Sequence, residues 1–323
     1  MEQKYDNRCQ EMVCTINHMK PLEGKIAIVA GGSRGAGRGI ALALGDAGAT
    51  VYVTARTSKD GPKLAGNVPG TVEETAGEVT ARGGRGVPVV ADLSDEAQVD
   101  ALFCRVKQEQ GRLDLLASSV WYSNVLDAWG KPFWELGDDL WRDMQRTVDA
   151  HWFLGRGAAR VMSEQKNGLV VFVTDWTSDL AEYHGQIMWD AGHHAIGRLI
   201  VGMGDELKRR KVAVVGMNPG FMRTERVLIH MRNSSEKVWR QFRFDLSESV
   251  EYIGRAVAAL AGDPKAAGRT GQFLWAADLA REYGFTDIDG RHIPRFDPKA
   301  PQQEIPNEWL EQSAAVSGAS KTP

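Results

Sequence analysis

Short apolar runs alternate with longer amphipathic stretches through most of the chain. Residues 25–30 (KIAIVA) precede a glycine-rich turn and then a helical stretch, GIALALGDAGA. Residues 50–55 (TVYVTA) read as a second strand, with Gly48 closing the helix before it. A loop rich in Gly, Pro and Lys covers 58–70, a helix covers 71–82, and 87–91 (VPVVA) gives a third strand. The pattern continues with helix 95–110, strand 113–118, a long helix near 138–165 and strand 168–174. A helix near 187–209, strand 212–217 and a last strand at 271–277 complete it. Strands alternating with helices predict βαβ units and a parallel sheet. Right-handed crossovers then give an α/β, Rossmann-type doubly wound sheet of seven strands with helices on both faces.

The pattern assigns residues 21–297 to a single domain, after a polar N-terminal extension over 1–20. Residues 221–250 are polar, Arg-rich and follow the sixth strand, which suits either a substrate lid or a solvated pair of surface helices. Residues 298–323 hold little to bury and are expected to form a flexible tail.

A hydrophobic content of 43% with 25% charged residues is that of an ordinary globular chain, which excludes long disorder and membrane-spanning architectures. The net charge of −3 gives no reason to expect nucleic acid or an anionic membrane as partner. The three cysteines, Cys9, Cys14 and Cys104, have no metal-ligand spacing and read as free thiols. The first twenty residues lack the apolar core of a secretory signal, so a cytoplasmic protein is expected. No metal is expected either, because the His and Asp residues have no ligand spacing.

Chemistry concentrates first in the turn after the leading strand. Gly31, Gly35 and Gly37 form a GxxxGxG pattern where strand meets helix. Glycine lets a pyrophosphate approach the backbone, and the helix start offers free N–H groups. The second strand ends in Arg56, where an NAD-binding sheet usually carries a carboxylate, and Arg34 lies in the facing loop. Two guanidiniums suit a 2′-phosphate, so NADP(H) is the expected cofactor. Asp92, just past the third strand, is placed to meet the adenine.

The segments AGGSRGAG, VYVTAR, VVADLSDEAQV and NPGFMRT together resemble the short-chain dehydrogenase/reductase family. The stretches GTVEETAGEVTARGGRG and FLWAADLAREYGFTDIDGR are similar to its dehydrogenase/reductase member 1 branch. The resemblance implies that Gly31, Ser33, Arg34, Gly35, Ala36 and Gly37 hold the phosphates. It implies that Arg56, Asp92 and Leu93 meet the adenosine half, and that Pro219, Gly220 and Thr224 lie by the nicotinamide. Ser118 would also belong to the cofactor site, and a homodimer or homotetramer is implied.

The same resemblance exposes a departure. Where the family has a Tyr and, four residues on, a Lys, this chain has Trp189 and His193. An i,i+4 pair shares one helix face, so both are expected to point at the crevice. An indole N–H only donates and will not exchange a proton near neutrality, whereas an imidazole can titrate there and reach a ribose hydroxyl. Thr174 and Asp175 stand where the family has its Ser, Val148 where it has a helix Asn, and Ser118-Ser119-Val120-Trp121 where it has Asn-Asn-Ala-Gly. Tyr183 is a candidate replacement phenol, and Asp190 with His194 a candidate ion pair. His193, Asp175, Thr174, Trp189 and Tyr183 are therefore the candidate catalytic residues. Six of the ten tryptophans, at 121, 129, 134, 152, 176 and 189, fall in segments expected around the crevice, while Trp141 is expected to pack. Such a cleft suits a large aromatic, apolar or cationic small molecule.

Three functions remain open on the sequence. One is an NADP(H)-dependent reductase acting on a C=O, C=N or conjugated C=C with little acid help. The second is a redox-neutral isomerase, cyclase or lyase on the same fold, and the third a non-catalytic NADP(H)-binding protein.

Overall fold

A computed structural model describes residues 20–61, 68–123, 125–175, 183–232, 234–297, 299–305 and 307–309. Seven strands are present: β1 (Ile26–Ala30), β2 (Thr50–Ala55), β3 (Arg85–Val90), β4 (Leu115–Ser118), β5 (Gly168–Val173), β6 (Val212–Asn218) and β7 (Phe273–Trp275). All pair in parallel, in the order β3-β2-β1-β4-β5-β6-β7. The helices are α1 (Gly35–Asp46), α2 (Val72–Ala81), α3 (Glu96–Gln110), α4 (Asp138–Gln165) and α5 (Ile187–Leu207). They continue as α6 (Glu225–His230), α7 (Glu236–Gln241), α8 (Val250–Gly262) and α9 (Ala276–Tyr283). The chain is the seven-stranded doubly wound sheet that its hydrophobic pattern predicts.

The inner strands β1, β4, β5 and β6 are mostly apolar because both of their faces are covered, whereas the edge strand β3 is partly exposed. Alternate residues enter two separate cores. Ala27, Val29, Val51, Val53, Ala117, Val171 and Val215 pack with α1, α2, α8 and α9. Ile26, Ile28, Tyr52, Leu116, Val170, Phe172 and Val214 face α3, α4 and α5. At about 25 cal/mol per Å² of apolar surface, these two layers are the main stabilising term of the fold.

The strand order reverses between β1 and β4, which lie side by side with Ala30 opposite Ser118. Ligands of open α/β sheets bind outside the carboxyl ends of the strands at such a switch point. Three strands differ most from expectation in their bounds: β3 starts earlier, at Arg85, β4 starts later, at Leu115, and β7 spans only Phe273–Trp275, where Ala276 opens α9.

Residues 221–250 are not simply a solvated helix pair. Leu228, Met231, Trp239 and Phe244 build a third core with Ile305 and Trp309. The expected flexible tail therefore docks, as far as residue 309. Trp309 is 2% exposed and lies between two guanidiniums, Arg223 at 3.9 Å and Arg291 at 4.3 Å from its ring. Arg243, bidentate on Asp245, also donates to the carbonyls of Asp297, Ala300 and Pro301. Arg240 donates to the Gln303 carbonyl and the Gln303 N–H donates to Asp245, so a segment whose composition reads as disordered is held by both apolar and polar contacts.

Candidate active site at the switch point

The glycine-rich turn is built for close approach. Gly31 has φ +78°, and a Cβ on Gly37 would lie 2.2 Å from the Gly31 carbonyl oxygen. Helix α1 can thus start directly against the end of β1, with Ser33, Ala36 and Gly37 buried beneath it. The Gly35 N–H at this start donates to the Glu225 carboxylate at 2.8 Å. The helix start therefore attracts an anion, as the macrodipole and unsatisfied N–H groups require. Glu225 itself carries no motif signal.

The adenosine end is more occupied than the sequence suggests. Arg34 donates to Pro69 O at 3.1 Å, Gly70 O at 2.9 Å and Thr57 Oγ1 at 3.2 Å, so its guanidinium grips the loop after β2. Desolvation by burial, partly offset by Glu225, lowers its pKa. Arg56 lies 4.2 Å from the Tyr122 ring centroid, and Arg146 of α4 lies 4.4 Å from the same ring. The carboxylate of Asp92 accepts from Tyr122 Oη at 2.6 Å, Ser94 Oγ at 2.8 Å and Arg146 at 2.9 Å. Burial opposes its charge, but the bonds from Tyr122 and Ser94 prevail and hold its pKa below the usual value. Asp92 is thus part of an internal network with Tyr122, Ser94 and Arg146. Leu93 is buried below it.

Past β6, Gly220 donates its N–H to Glu248 Oε2 at 3.0 Å, just after Pro219. Glu248 is fully buried, and desolvation pushes its pKa up to about 8. Thr224 caps α6 by accepting from Val227 N at 3.2 Å. Ser118 is buried, its hydroxyl 3.3 Å from Nε2 of His151. Nδ1 of His151 lies 2.8 Å from the Thr147 carbonyl, so it carries the proton, and burial lowers the pKa to about 4. Thr147 and His151 sit on the apolar stripe of α4, a signal the sequence does contain, while Val148 is only partly buried.

The centre of the site holds the substituted pair. Gln186 caps α5 by accepting from Met188 N and Trp189 N at 2.6 and 3.0 Å. Nδ1 of His193 accepts the Asp175 N–H at 3.0 Å and lies 3.0 Å from Thr174 Oγ1. The proton therefore sits on Nε2, which is buried without a hydrogen-bond partner. The ring is stacked on Trp121 at 4.6 Å and meets Trp189 edge-on at 4.3 Å. Desolvation lowers the His193 pKa to about 3. The expectation that it titrates near neutrality fails because two indoles shut it from water. Nε1 of Trp189 donates to the Asp175 carboxylate at 3.1 Å.

Other candidates disperse. Tyr183 is 64% exposed. Asp190 pairs with His184 at 2.6 Å, and Nδ1 of His194 lies 3.1 Å from the Asp190 backbone carbonyl. Of the tryptophans, Trp121, Trp129 and Trp189 converge, with Trp129 itself 45% exposed, and Trp134, Trp141 and Trp152 are exposed as well. Trp176 and Asp179 lie outside the described residues.

Comparison with known proteins agrees with this architecture. The sequence matches the family described as short chain dehydrogenase over residues 25–233. The chain belongs to that family. It is 36% identical over 285 residues to "Dehydrogenase/reductase SDR family member 1" of Homo sapiens, covering 85% of this chain and 87% of the relative. In fold it is similar to a short chain dehydrogenase from Mycobacterium thermoresistibile, with a TM-score of 0.71 at 20% identity over 88% of this chain and 98% of that one. A metagenomic short-chain oxidoreductase solved in complex with NADP aligns with a TM-score of 0.60 at 22% identity, covering 79% and 97% of the two chains. As a short chain dehydrogenase, the protein belongs to an oxidoreductase family that uses a nicotinamide cofactor and acts on small molecules. Among the described residues, no helix is long and apolar enough to cross a membrane.

Proposed function

We propose that the protein is an NADP(H)-dependent oxidoreductase that moves a hydride to or from a bulky apolar or aromatic substrate without a tyrosine acid. The observation that carries this reading is the pairing of a dinucleotide-type turn with a rebuilt centre. At the turn, Gly31 and Gly37 touch and the Gly35 N–H holds a carboxylate. At the centre, the Trp189 N–H is committed to Asp175 and His193 is a neutral donor.

The residues fit a phosphorylated dinucleotide. Gly31, Ser33, Gly35, Ala36 and Gly37 would hold the pyrophosphate, and Arg56, backed by Arg34, would answer the 2′-phosphate. The NADP in the metagenomic relative supports the same choice. Ser118, Pro219, Gly220 and Thr224 would border the nicotinamide, and the partnerless Nε2 of His193 would meet a ribose hydroxyl. Such a cofactor supplies a hydride at one face of its ring. The chain's own part is to orient the substrate among indoles, exclude water and leave protons where they are. The helix pair over 221–250 closes this end of the sheet as a lid.

Calorimetry with NADP+, NADPH and NAD+ tests the reading. Binding of NADP+ at least about tenfold tighter than NAD+, lost in Arg56→Ala, is expected from one guanidinium–phosphate contact. No heat at millimolar nucleotide ends it.

A further inference from the structure

Residues 219–224 run from the end of β6 to the start of α6, outside both. One residue holds them. The Glu248 N–H donates to the Phe221 carbonyl, and the Glu248 carbonyl accepts the Arg223 N–H, both at 2.9 Å. Met222 and Glu248 thus pair as parallel strand residues do. The Glu248 side chain then accepts the Gly220 N–H through Oε2 at 3.0 Å. Glycine at 220 is part of the fit, since a Cβ there would stand 2.8 Å from the same oxygen.

Glu248 is itself firmly placed. The next residue, Ser249, caps α8 by accepting from Glu251 N at 3.2 Å. Helix α8 lies directly against α1, where a Cβ on Gly254 would come within 2.3 Å of the Gly39 carbonyl oxygen. Helix α1 begins at the glycine-rich turn. The α1–α8 pair therefore reaches through Glu248 to the loop after β6, and one rigid body sets both ends of the crevice.

The side chain does this as a neutral group. Desolvation, opposed by the Gly220 N–H and by Arg223 and aided by the Asp287 carboxylate, pushes its pKa up to about 8. Near neutrality Oε2 accepts as a carbonyl oxygen and the proton sits on Oε1, which is buried without a hydrogen-bond partner. Burying a carboxyl with one oxygen unanswered costs stability. What offsets that cost is a fixed Gly220 N–H.

We infer that Glu248 is a positioning residue for the nicotinamide half of the cofactor, because it pre-forms the Gly220–Arg223 loop on which that half would rest. This depends on the NADP(H) reading above. A loop already ordered gives up little freedom when a ligand settles on it, whereas a loose one is ordered at the expense of affinity.

The test uses the full chain and two ligands, NADPH and 2′-phospho-ADP-ribose, which lacks the nicotinamide. In Glu248→Ala the affinity for NADPH is expected to fall about tenfold, as an orphaned buried N–H and a loosened loop imply. Binding of 2′-phospho-ADP-ribose should stay within about twofold of the parent, because its contacts lie elsewhere. Glu248→Gln returns a neutral side chain with the same acceptor and should recover NADPH binding to within about threefold. Gly220→Ala pushes the carboxyl off its N–H and should reproduce the selective loss, even if Glu248→Ala does not fold. Fluorescence of bound NADPH, which reports how firmly the ring is held, should weaken in both alanine variants and return in Glu248→Gln. Folded variants that lose both ligands equally or neither, or a Gln variant no better than Ala, overturn the inference. If the parent binds both ligands and no variant shows a selective loss, only the role of Glu248 falls. If the parent binds neither, the cofactor reading falls and the inference with it.

Discussion

The Glu225 carboxylate sits on the Gly35 N–H at 2.8 Å, at the start of the helix that follows the glycine-rich turn. Helix α6 thereby supplies an internal anion to the position a pyrophosphate would use. The two anions compete for one donor and repel each other. Neutralising the side chain should therefore strengthen nucleotide binding. Glu225→Gln is expected to lower the Kd for NADPH about threefold to tenfold at low ionic strength, with the gain shrinking in high salt. Titration at two salt concentrations checks both parts, and weaker binding in the variant would show that Glu225 organises the site instead of opposing the ligand.

On the acid side, stability should follow the buried imidazoles. His193 and His151 stay neutral in the folded chain down to about 3 and about 4, whereas the same groups unfolded take up protons near 6.5. Below 6.5 the unfolded chain holds more protons, so stability falls as pH drops from there toward 4. Nothing in this pair titrates between pH 7 and 9, so binding that depends on His193 should be flat across that range. A break near pH 6.5 in NADPH affinity would mean that His193 is open to solvent.

Glu248 acts in the opposite sense. Burial raises its pKa from the ordinary 4.5 to about 8. Between those values the folded chain keeps a proton that the unfolded chain has lost, so stability falls as pH rises through the window. Glu248→Gln keeps an acceptor for the Gly220 N–H and removes the titration. Thermal melts should show little difference from the parent at pH 5 and an advantage that grows toward pH 8, about 2–4 °C for each kcal/mol recovered. A constant offset at every pH would refute the assignment.

Sequence pattern and structure part company where contacts are long-range. Strands and helices are legible because Val29, Val51 and Val171 repeat a period that local geometry imposes. The glycine-rich turn is legible because sterics at Gly37 admit no side chain. The engagement of Asp92 is not, since its partners Tyr122 and Arg146 lie on the turn after β4 and on α4. Nor is the neutrality of His193, because Trp121, which covers it, comes from another strand end. A substitution at one position can be read from a chain, but the environment that sets its pKa cannot.

Trp309 offers a last test of how the 221–250 segment is held. Its indole is buried between Arg223 and Arg291 and joins Leu228, Met231, Trp239 and Phe244 of the 221–250 segment. Arg223 is itself buried, with Asp287 at 3.4 Å, and desolvation lowers its pKa. Removing the indole therefore leaves a cavity and strips a low-polarity wall from two guanidiniums at once. Trp309→Ala should cost about 3–5 kcal/mol of local stability, as for other buried tryptophans. The two main cores do not contain Trp309, so the sheet should survive. The loss should then appear as local opening: trypsin should cut among Arg232, Lys237 and Arg240 in the variant well before it cuts the parent. Truncation after residue 300 should reproduce the effect, because Ile305 leaves the same cluster. If the variant melts as a whole at a much lower temperature with no early cleavage, the 221–250 segment and the sheet are one cooperative unit and the tail is part of the fold's foundation.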